Sequence, residues 1–322
     1  MNVTSASEAS LLREDDRAAL LEWFAERVAF DGPLAAYTSW KIGGPADALV
    51  CAQSEEEIAR VMRLCLRRKL PWFVLGSGSN LLIGDGGIRG IVLRLGGAFA
   101  QIEAHVDGGR VVLEAGASAN MAQVTARGAS AGALGIEGLV GIPGTVGGSL
   151  RMNAGTDREF GEFVQEVWVQ SPSRPAPHSV DIRYFYRHTT LPRDAIVSRV
   201  RLAFEHGDPA QVREAMQAKL VRRKQTQPIA LPNAGSCFRN PPGEKAARLI
   251  EAVGAKGWSE GAAQVSTLHA NFINNLGGAT ACDVATLLAR VRRAVCERFG
   301  VELQLEVHLV GAFVAGEAER SA

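Results

Sequence analysis

The chain has 322 residues, 47% of them hydrophobic and 21% charged, with a formal net charge of +1. That size allows two or three domains with cores of their own, and the even charge balance excludes the broad basic field of a nucleic-acid-binding protein. Charged residues crowd the region before the first apolar run, which does not suit a signal peptide, and no apolar stretch nears the roughly 20 residues that span a bilayer, so a soluble cytoplasmic protein with no nucleic-acid or membrane partner is expected.

In chain order, residues 10–30 read as one amphipathic helix with Leu20, Leu21, Phe24 and Val28 on a stripe, ended by Gly32-Pro33. A turn at Gly43-Gly44-Pro45 leads into a strand through Ala48–Cys51. Ser54 then caps a helix that ends in basic residues, with Glu57 three positions on completing a capping box. "PWFVLG" and "GIVLRL" are buried strands, so residues 46–76 form a strand–helix–strand unit with parallel pairing. From 99 to about 205 the texture changes to short alternating strands, "RVVLEAG", "FVQEVWVQS", "VDIRYFYRH" and "AIVSRVRLAF", interrupted by one helix, "ANMAQVTARGASAGA". After Asp208-Pro209 come a helix "AQVREAMQAKLVRRKQTQ", a polar loop, a long helix ending at Gly300, and a closing strand of strict alternation, "VELQLEVHLVG". The reading is three α+β modules with boundaries near 98 and 207. The short basic clusters Arg67-Arg68-Lys69 and Arg222-Arg223-Lys224 read as solvated helix faces.

Five cysteines, odd in number and without CxxC spacing, indicate reduced thiols and neither a disulfide framework nor a metal site. Glycine is the unusual residue, at 35 copies bunched between strand-like runs. In "VLGSGSNLLIGDGG", Gly76, Ser77, Gly78, Ser79 and Asn80 follow a strand directly, so that several backbone N–H groups can converge on one anion. The loop is neither a Walker A motif nor GxGxxG, since Leu81 stands where the third glycine would be. A second glycine loop, 135–155, brackets Pro143 and Thr145 with Gly141, Gly144, Gly147 and Gly148, with no room for a regular element. Two such loops on neighbouring modules suit one extended ligand with a pyrophosphate between them. "GASAG" matches a nucleophile elbow, but helical spacing precedes Ser130 where an elbow needs a strand, so a hydrolase is rejected.

The loop 231–243 holds Ser236, Cys237, Arg239 and Asn240 between Pro232-Asn233 and Pro241-Pro242, at the mouth of a helix. Alternation along an extended backbone turns Cys237 away from whatever Ser236 faces. His269 sits in a compact polar group with Asn271, Asn274 and Asn275, where a structural histidine reads equally well. Arg187 is flanked by Tyr184, Phe185 and Tyr186, and can stack or pair with an acid. Glu302, Gln304, Glu306 and His308 share a strand face, and the pattern does not choose between Glu302 and Glu306.

"GSGSNLL", "GIPGTVGG…MNAG", "YRH", "NAGSCFRNP", "HANFINN" and "LEVHLVG" occur in this order between about Tyr37 and Gly311. Together they resemble the UDP-N-acetylenolpyruvoylglucosamine reductase family. The resemblance implies an α+β fold in which an N-terminal helical extension (1–33) precedes two domains, 34–98 and 99–207. These form a vanillyl-alcohol-oxidase-like (PCMH-type) FAD unit, followed by an α+β substrate domain, 208–311, and a disordered tail, 312–322. It implies FAD as cofactor, held by Gly76, Ser77, Gly78, Ser79, Asn80 and Leu81 on the first loop and by Gly141, Ile142, Pro143, Gly144, Thr145, Gly147 and Gly148 on the second. NADPH as co-substrate and a UDP-sugar would use one pocket in turn. Arg187, Ser236 as proton donor and Glu306 carry over as the catalytic trio, with Arg239, Asn240, His269 and Asn271 as substrate contacts. The short "HANFINN" form resembles the subclass without a tyrosine lid, and a monomer is expected.

The chain departs from the family's usual wording at "TDREFG", longer than the common "AYG" and with Phe160 for tyrosine, and at "YFYRH" for "FGYR". The competing readings are another FAD oxidase or dehydrogenase of the same superfamily and a non-catalytic nucleotide-sugar sensor. Against the covalently flavinylated oxidases, no histidine or cysteine lies in 74–97. Retention of Arg187, Ser236 and Glu306 together counts against a sensor.

Overall fold

The computed structural model describes residues 10–313. Its first part opens with helix α1, Glu14–Phe24, a 3-10 turn over Ala25–Arg27 and strand β1, Val28–Pro33. β2 (Pro45–Ala52), helix α2 (Glu55–Arg68), β3 (Trp72–Val74), β4 (Leu81–Ile83) and β5 (Ile88–Leu95) follow. The sheet order is β1-β2-β5-β3, antiparallel at β1/β2 and parallel elsewhere. β2 and β3 are therefore parallel as expected, but β5 lies between them.

The single helix expected over 10–30 is corrected. It stops at Phe24, Ala25 takes a left-handed φ of 48°, and Val28 belongs to a strand paired with Val50. Leu20 and Phe24 are buried while Leu21 is exposed. The 1–33 segment is thus not only helical, because its last six residues complete the first sheet. α2 is capped by the Ser54 hydroxyl accepting from Glu57 N–H at 3.3 Å. The capping box is only half formed, since the Glu57 carboxylate accepts instead from Gln53 N–H and pairs with Arg27 at 2.7 Å. That guanidinium, first among the causes, holds the Glu57 carboxyl below its ordinary range.

The second part contains β6 (Ile102–Asp107), β7 (Arg110–Gly116), α3 (Met121–Ser130), β8 (Ala133–Leu134), α4 (Val146–Met152), β9 (Val164–Ser171), β10 (Arg174–Ser179), the hairpin β11 (Tyr184–Phe185) and β12 (His188–Thr189), and β13 (Ile196–His206). An antiparallel sheet runs β10-β9-β13-β7-β6, with β8 added on β13. Two expectations are revised here. "VDIRYFYRH" is not one strand but ends in a tight hairpin whose turn is Tyr186-Arg187. The second glycine loop does make room for a regular element: Thr145 caps α4, its hydroxyl accepting from Gly148 N–H at 3.4 Å.

The third part comprises α5 (Pro209–Thr226), α6 (Ala246–Ala252), β14 (Ser259–Glu260), β15 (Ala263–Val265), β16 (Ile273–Asn275), α7 (Ala281–Phe299) and β17 (His308–Val310). Only the last three residues of the expected closing strand are strand. They leave this part and pair in parallel with β4, next to the first glycine loop. The Trp40 side chain is fully buried in the core of the third part and donates Nε1–H to the Ile273 carbonyl at 2.7 Å. Asp85 accepts from the N–H groups of Ala281 and Cys282 and so caps α7 from outside it. Ala312 is buried and donates N–H to the Gly87 carbonyl at 2.7 Å, so the disorder expected of the tail from 312 is not found at that residue. Residues 314–322 of that tail, like residues 1–9, lie outside the described residues.

Candidate active site

The glycine loop at 76–80 leaves β3 and returns as β4. None of its five backbone N–H groups, from Gly76 to Asn80, is hydrogen-bonded among the described residues. Consecutive free amides make an anion-binding concavity. Gly78, at φ 57°, is required by crowding as well as conformation, because a Cβ would lie 2.5 Å from the Tyr37 carbonyl oxygen. The Asn80 side chain is committed elsewhere: its amide donates to the Glu306 carbonyl at 3.0 Å, and its own carbonyl accepts from His308 N–H. Leu81 opens β4 opposite His308. Asn80 and Leu81 thus join the loop to the Glu306 segment, while the backbone N–H of Asn80 stays free for the cofactor contact expected of it.

The two glycine loops meet. A Cβ on Gly76 would lie 2.8 Å from Thr145 Oγ1, and one on Gly144 would lie 2.7 Å from Ser79 Oγ. Ser79 Oγ donates to the Pro143 carbonyl at 3.3 Å. The second loop is no mirror image of the first, however. Its amides at Ile142, Val146, Gly147 and Gly148 are already used by Leu139, Ala119, Ala117 and Thr145. Ile142 turns its side chain into the core of the second part. Gly141, at φ 79°, makes room for Arg223 of α5, whose guanidinium lies where a Cβ would be. Arg223 is therefore not on a solvated face, and burial pushes its guanidinium below the ordinary value.

Between the first and second parts lies a cleft of about 260 Å³, lined from both glycine loops by Gly76, Ser77, Thr145, Gly147 and Gly148. Ser118 also lines it, with a buried hydroxyl that has no hydrogen-bond partner. Free amides, close-packed glycines and an unpartnered buried hydroxyl fit a phosphate-bearing dinucleotide such as FAD.

The structure brings the segments of Arg187, Ser236 and Glu306, the three residues expected to be catalytic, together. Arg187 sits at the hairpin turn with φ 56°, its guanidinium 4.8 Å from the Tyr186 ring centroid. Its Nε donates to Glu306 Oε1 at 2.8 Å and its Nη2 to the Gly155 carbonyl at 2.8 Å. Of the two glutamates left open by alternation, Glu306 meets Arg187, while Glu302 pairs with Arg292 at the surface. Glu306 N–H donates to the Cys237 carbonyl at 2.8 Å, which places the Ser236 loop beside it. The Ser236 hydroxyl is half-exposed and makes no hydrogen bond among the described residues. Cys237 is fully buried in the third core, and burial pushes its thiol up to about 12. The two neighbours point apart, as alternation requires.

The substrate contacts fare unevenly. Arg239 donates its backbone N–H to Gln304 and buries an unpartnered Nε. Asn240 accepts from Ala246 N–H at 3.1 Å and so starts α6. Asn271 is buried and clamps Phe238 through both N–H and carbonyl, at 3.0 and 2.8 Å. These two side chains brace the two ends of the segment that follows Ser236. His269 Nδ1 accepts from Asn271 N–H, and burial pushes its imidazole below the ordinary value.

Three functional residues escaped sequence reasoning. Asn153, fully buried with φ 41°, donates to Glu159 at 2.6 Å and to the Phe185 carbonyl at 3.0 Å, and accepts from Gly161 at 2.8 Å. Glu159, within the unusual "TDREFG", lies 3.8 Å from Arg187. His308 touches Met152 Sδ at 3.0 Å, and burial followed by Arg239 pushes its imidazole down. Only Asn153 carried a signal, through its place in "MNAG".

Comparison with known proteins agrees with this geometry. Residues 227–310 match the model of the UDP-N-acetylenolpyruvoylglucosamine reductase C-terminal domain, and residues 46–169 match that of an FAD binding domain. UDP-N-acetylenolpyruvoylglucosamine reductase of Anaeromyxobacter sp. (strain Fw109-5) is 43% identical, over 92% of this chain and 95% of that protein. The reductase of Myxococcus xanthus (strain DK1622) is 43% identical over 88% and 92%. Among solved structures, the UDP-N-acetylenolpyruvylglucosamine reductase of Thermus caldophilus superposes with a TM-score of 0.74 at 35% identity, covering 88% of this chain and 97% of that one.

Proposed function

The chain belongs to the UDP-N-acetylenolpyruvoylglucosamine reductase family of FAD-binding reductases, which serve peptidoglycan precursor synthesis, and on that premise we propose how its site works. The substrate is the enolpyruvyl ether of UDP-N-acetylglucosamine and the product UDP-N-acetylmuramate. The glycine loops would hold FAD, which when bound would supply the hydride chemistry that links NADPH to the β-carbon of the enol ether. Negative charge then develops toward the α-carbon and its carboxylate. Arg187 meets that charge with a guanidinium already oriented by Glu306 and Gly155, so little reorganisation is needed as the reaction proceeds. Ser236 gives its proton to the α-carbon; serine is a weak acid, and only a strongly basic carbanion can take its proton. Glu306 orients Arg187 and, through Cys237, the loop bearing Ser236.

The observation that carries this reading is the junction of Arg187, Glu306, the Cys237 carbonyl and Asn80, which ties three distant chain segments to the glycine loop. Ion pairing of Arg187 with Glu306 across 119 residues is unlike the isolated turn that a structural role would require. NADPH and the UDP-sugar use the same pocket in turn, and the protein works as a cytoplasmic monomer. Anaerobic mixing tests the scheme: NADPH should bleach a flavin band near about 450 nm and the enolpyruvyl substrate should restore it. Failure of the second step would refute the proposed substrate, and a dimer mass by light scattering would refute the monomer.

A further inference from the structure

Resting on the FAD reading above, the charges of the cleft lead further. A diphosphate diester carries two negative charges, yet the glycine-rich stretches 76–81 and 141–148 contain no lysine or arginine. The only charged residues lining the cleft are Arg94, on β5, and Arg151, on α4; no aspartate or glutamate lines it. Neither guanidinium has a carboxylate at ion-pair distance among the described residues. Arg94 lies 4.5 Å from the Tyr37 ring centroid, and its Nε is buried with no hydrogen-bond partner. Arg151 spends its Nη groups on the carbonyls of Pro192 and Ala195. Burial pushes its guanidinium below the ordinary value, and Asp194 offsets this only in part.

An unpaired cation in a shielded cleft is costly, and two lining the same cleft, one from a strand of the first part and one from a helix of the second, repel one another. A dianion between them removes both penalties. We propose that Arg94 and Arg151 are the counter-charges of the cofactor's diphosphate, one contributed by each FAD-binding part, while the free amides of 76–80 supply its hydrogen bonds.

The test uses the full-length chain, deflavinated and titrated with FAD, ADP and riboflavin. Arg94→Gln and Arg151→Gln should each weaken FAD and ADP binding on the order of 10- to 100-fold, as loss of one charge-assisted contact implies, and leave riboflavin binding unchanged. Arg94→Lys should keep most of the affinity, and the salt dependence of FAD binding should flatten in both glutamine variants. Unchanged FAD affinity in the variants, an equal loss for riboflavin, or Arg94→Lys binding as poorly as Arg94→Gln would overturn the assignment. Should Arg151→Gln misfold by circular dichroism, the Arg94 pair and the salt dependence decide. A wild-type chain that binds no FAD defeats the underlying reading, whereas a yellow wild type with unaffected variants defeats only the roles of the two arginines.

Discussion

Arg187 occupies a backbone conformation that costs a non-glycine residue of order 1–3 kcal/mol and is held there by Glu306 and Gly155. Such strain survives only where surrounding contacts enforce it. Arg187→Ala should slow substrate reduction on the order of 10²–10³-fold while flavin reduction by NADPH stays near normal, as single-turnover measurements of the two steps would reveal. Cys237 makes a different prediction. Its thiol ionises near pH 9.0 when unfolded and only at about 12 when folded. A folded-state value raised in this way means that the contribution to stability is complete below pH 9.0 and lost as pH rises toward 12. Thermal midpoints between those limits should fall less steeply in Cys237→Ala than in the wild type. The opposed directions of Ser236 and Cys237 were legible in the sequence because alternation is a property of local backbone. The amides of Asn240 and Asn271 were not: each is satisfied by a backbone group that only the folded loop brings near.

Asn153 ties the hairpin bearing Arg187, through one hydrogen bond to Phe185, to the 159–161 segment, through two more with Glu159 and Gly161. Asn153→Ala should destabilise the fold by about 2–4 kcal/mol, since each buried partner left unsatisfied carries its own desolvation cost, and urea denaturation would measure it. In the first glycine loop, Gly78→Val confronts a left-handed φ and the Tyr37 carbonyl together. It should purify largely without flavin; a fully yellow Gly78→Val protein would show that the loop is a mere turn. Elements closed by a glycine stop were legible, such as α7, which ends at Gly300 with φ 66° as read. Elements defined by distant pairing were not. Val28 falls in step with the helical stripe of Leu20 and Phe24, yet pairing with Val50 makes it strand. The alternation of 301–310 promised a strand, but only residues 308–310 form one, paired with β4, while Leu305 makes an isolated bridge to Phe238.

Across the whole molecule, the three modules read from changes of texture are joined more closely than sequence boundaries suggest. Trp40 enters the third core, Asp85 caps α7, and β17 returns to the first glycine loop. These contacts bring the Ser236 loop, Glu306 and the phosphate cradle together, because Glu306 is bonded to Cys237 on one side and to Asn80 on the other. The proposed chemistry divides the labour: the glycine loops hold the cofactor for both half-reactions, whereas the third module supplies the proton needed only in the second. Stopped-flow mixing of Ser236→Ala under nitrogen tests this most directly. NADPH should reduce the flavin at close to the wild-type rate, while reoxidation by the enolpyruvyl substrate should all but cease, with partial recovery in Ser236→Cys. Reoxidation at the wild-type rate in Ser236→Ala would mean that another group protonates the α-carbon and that Ser236 is only a turn residue.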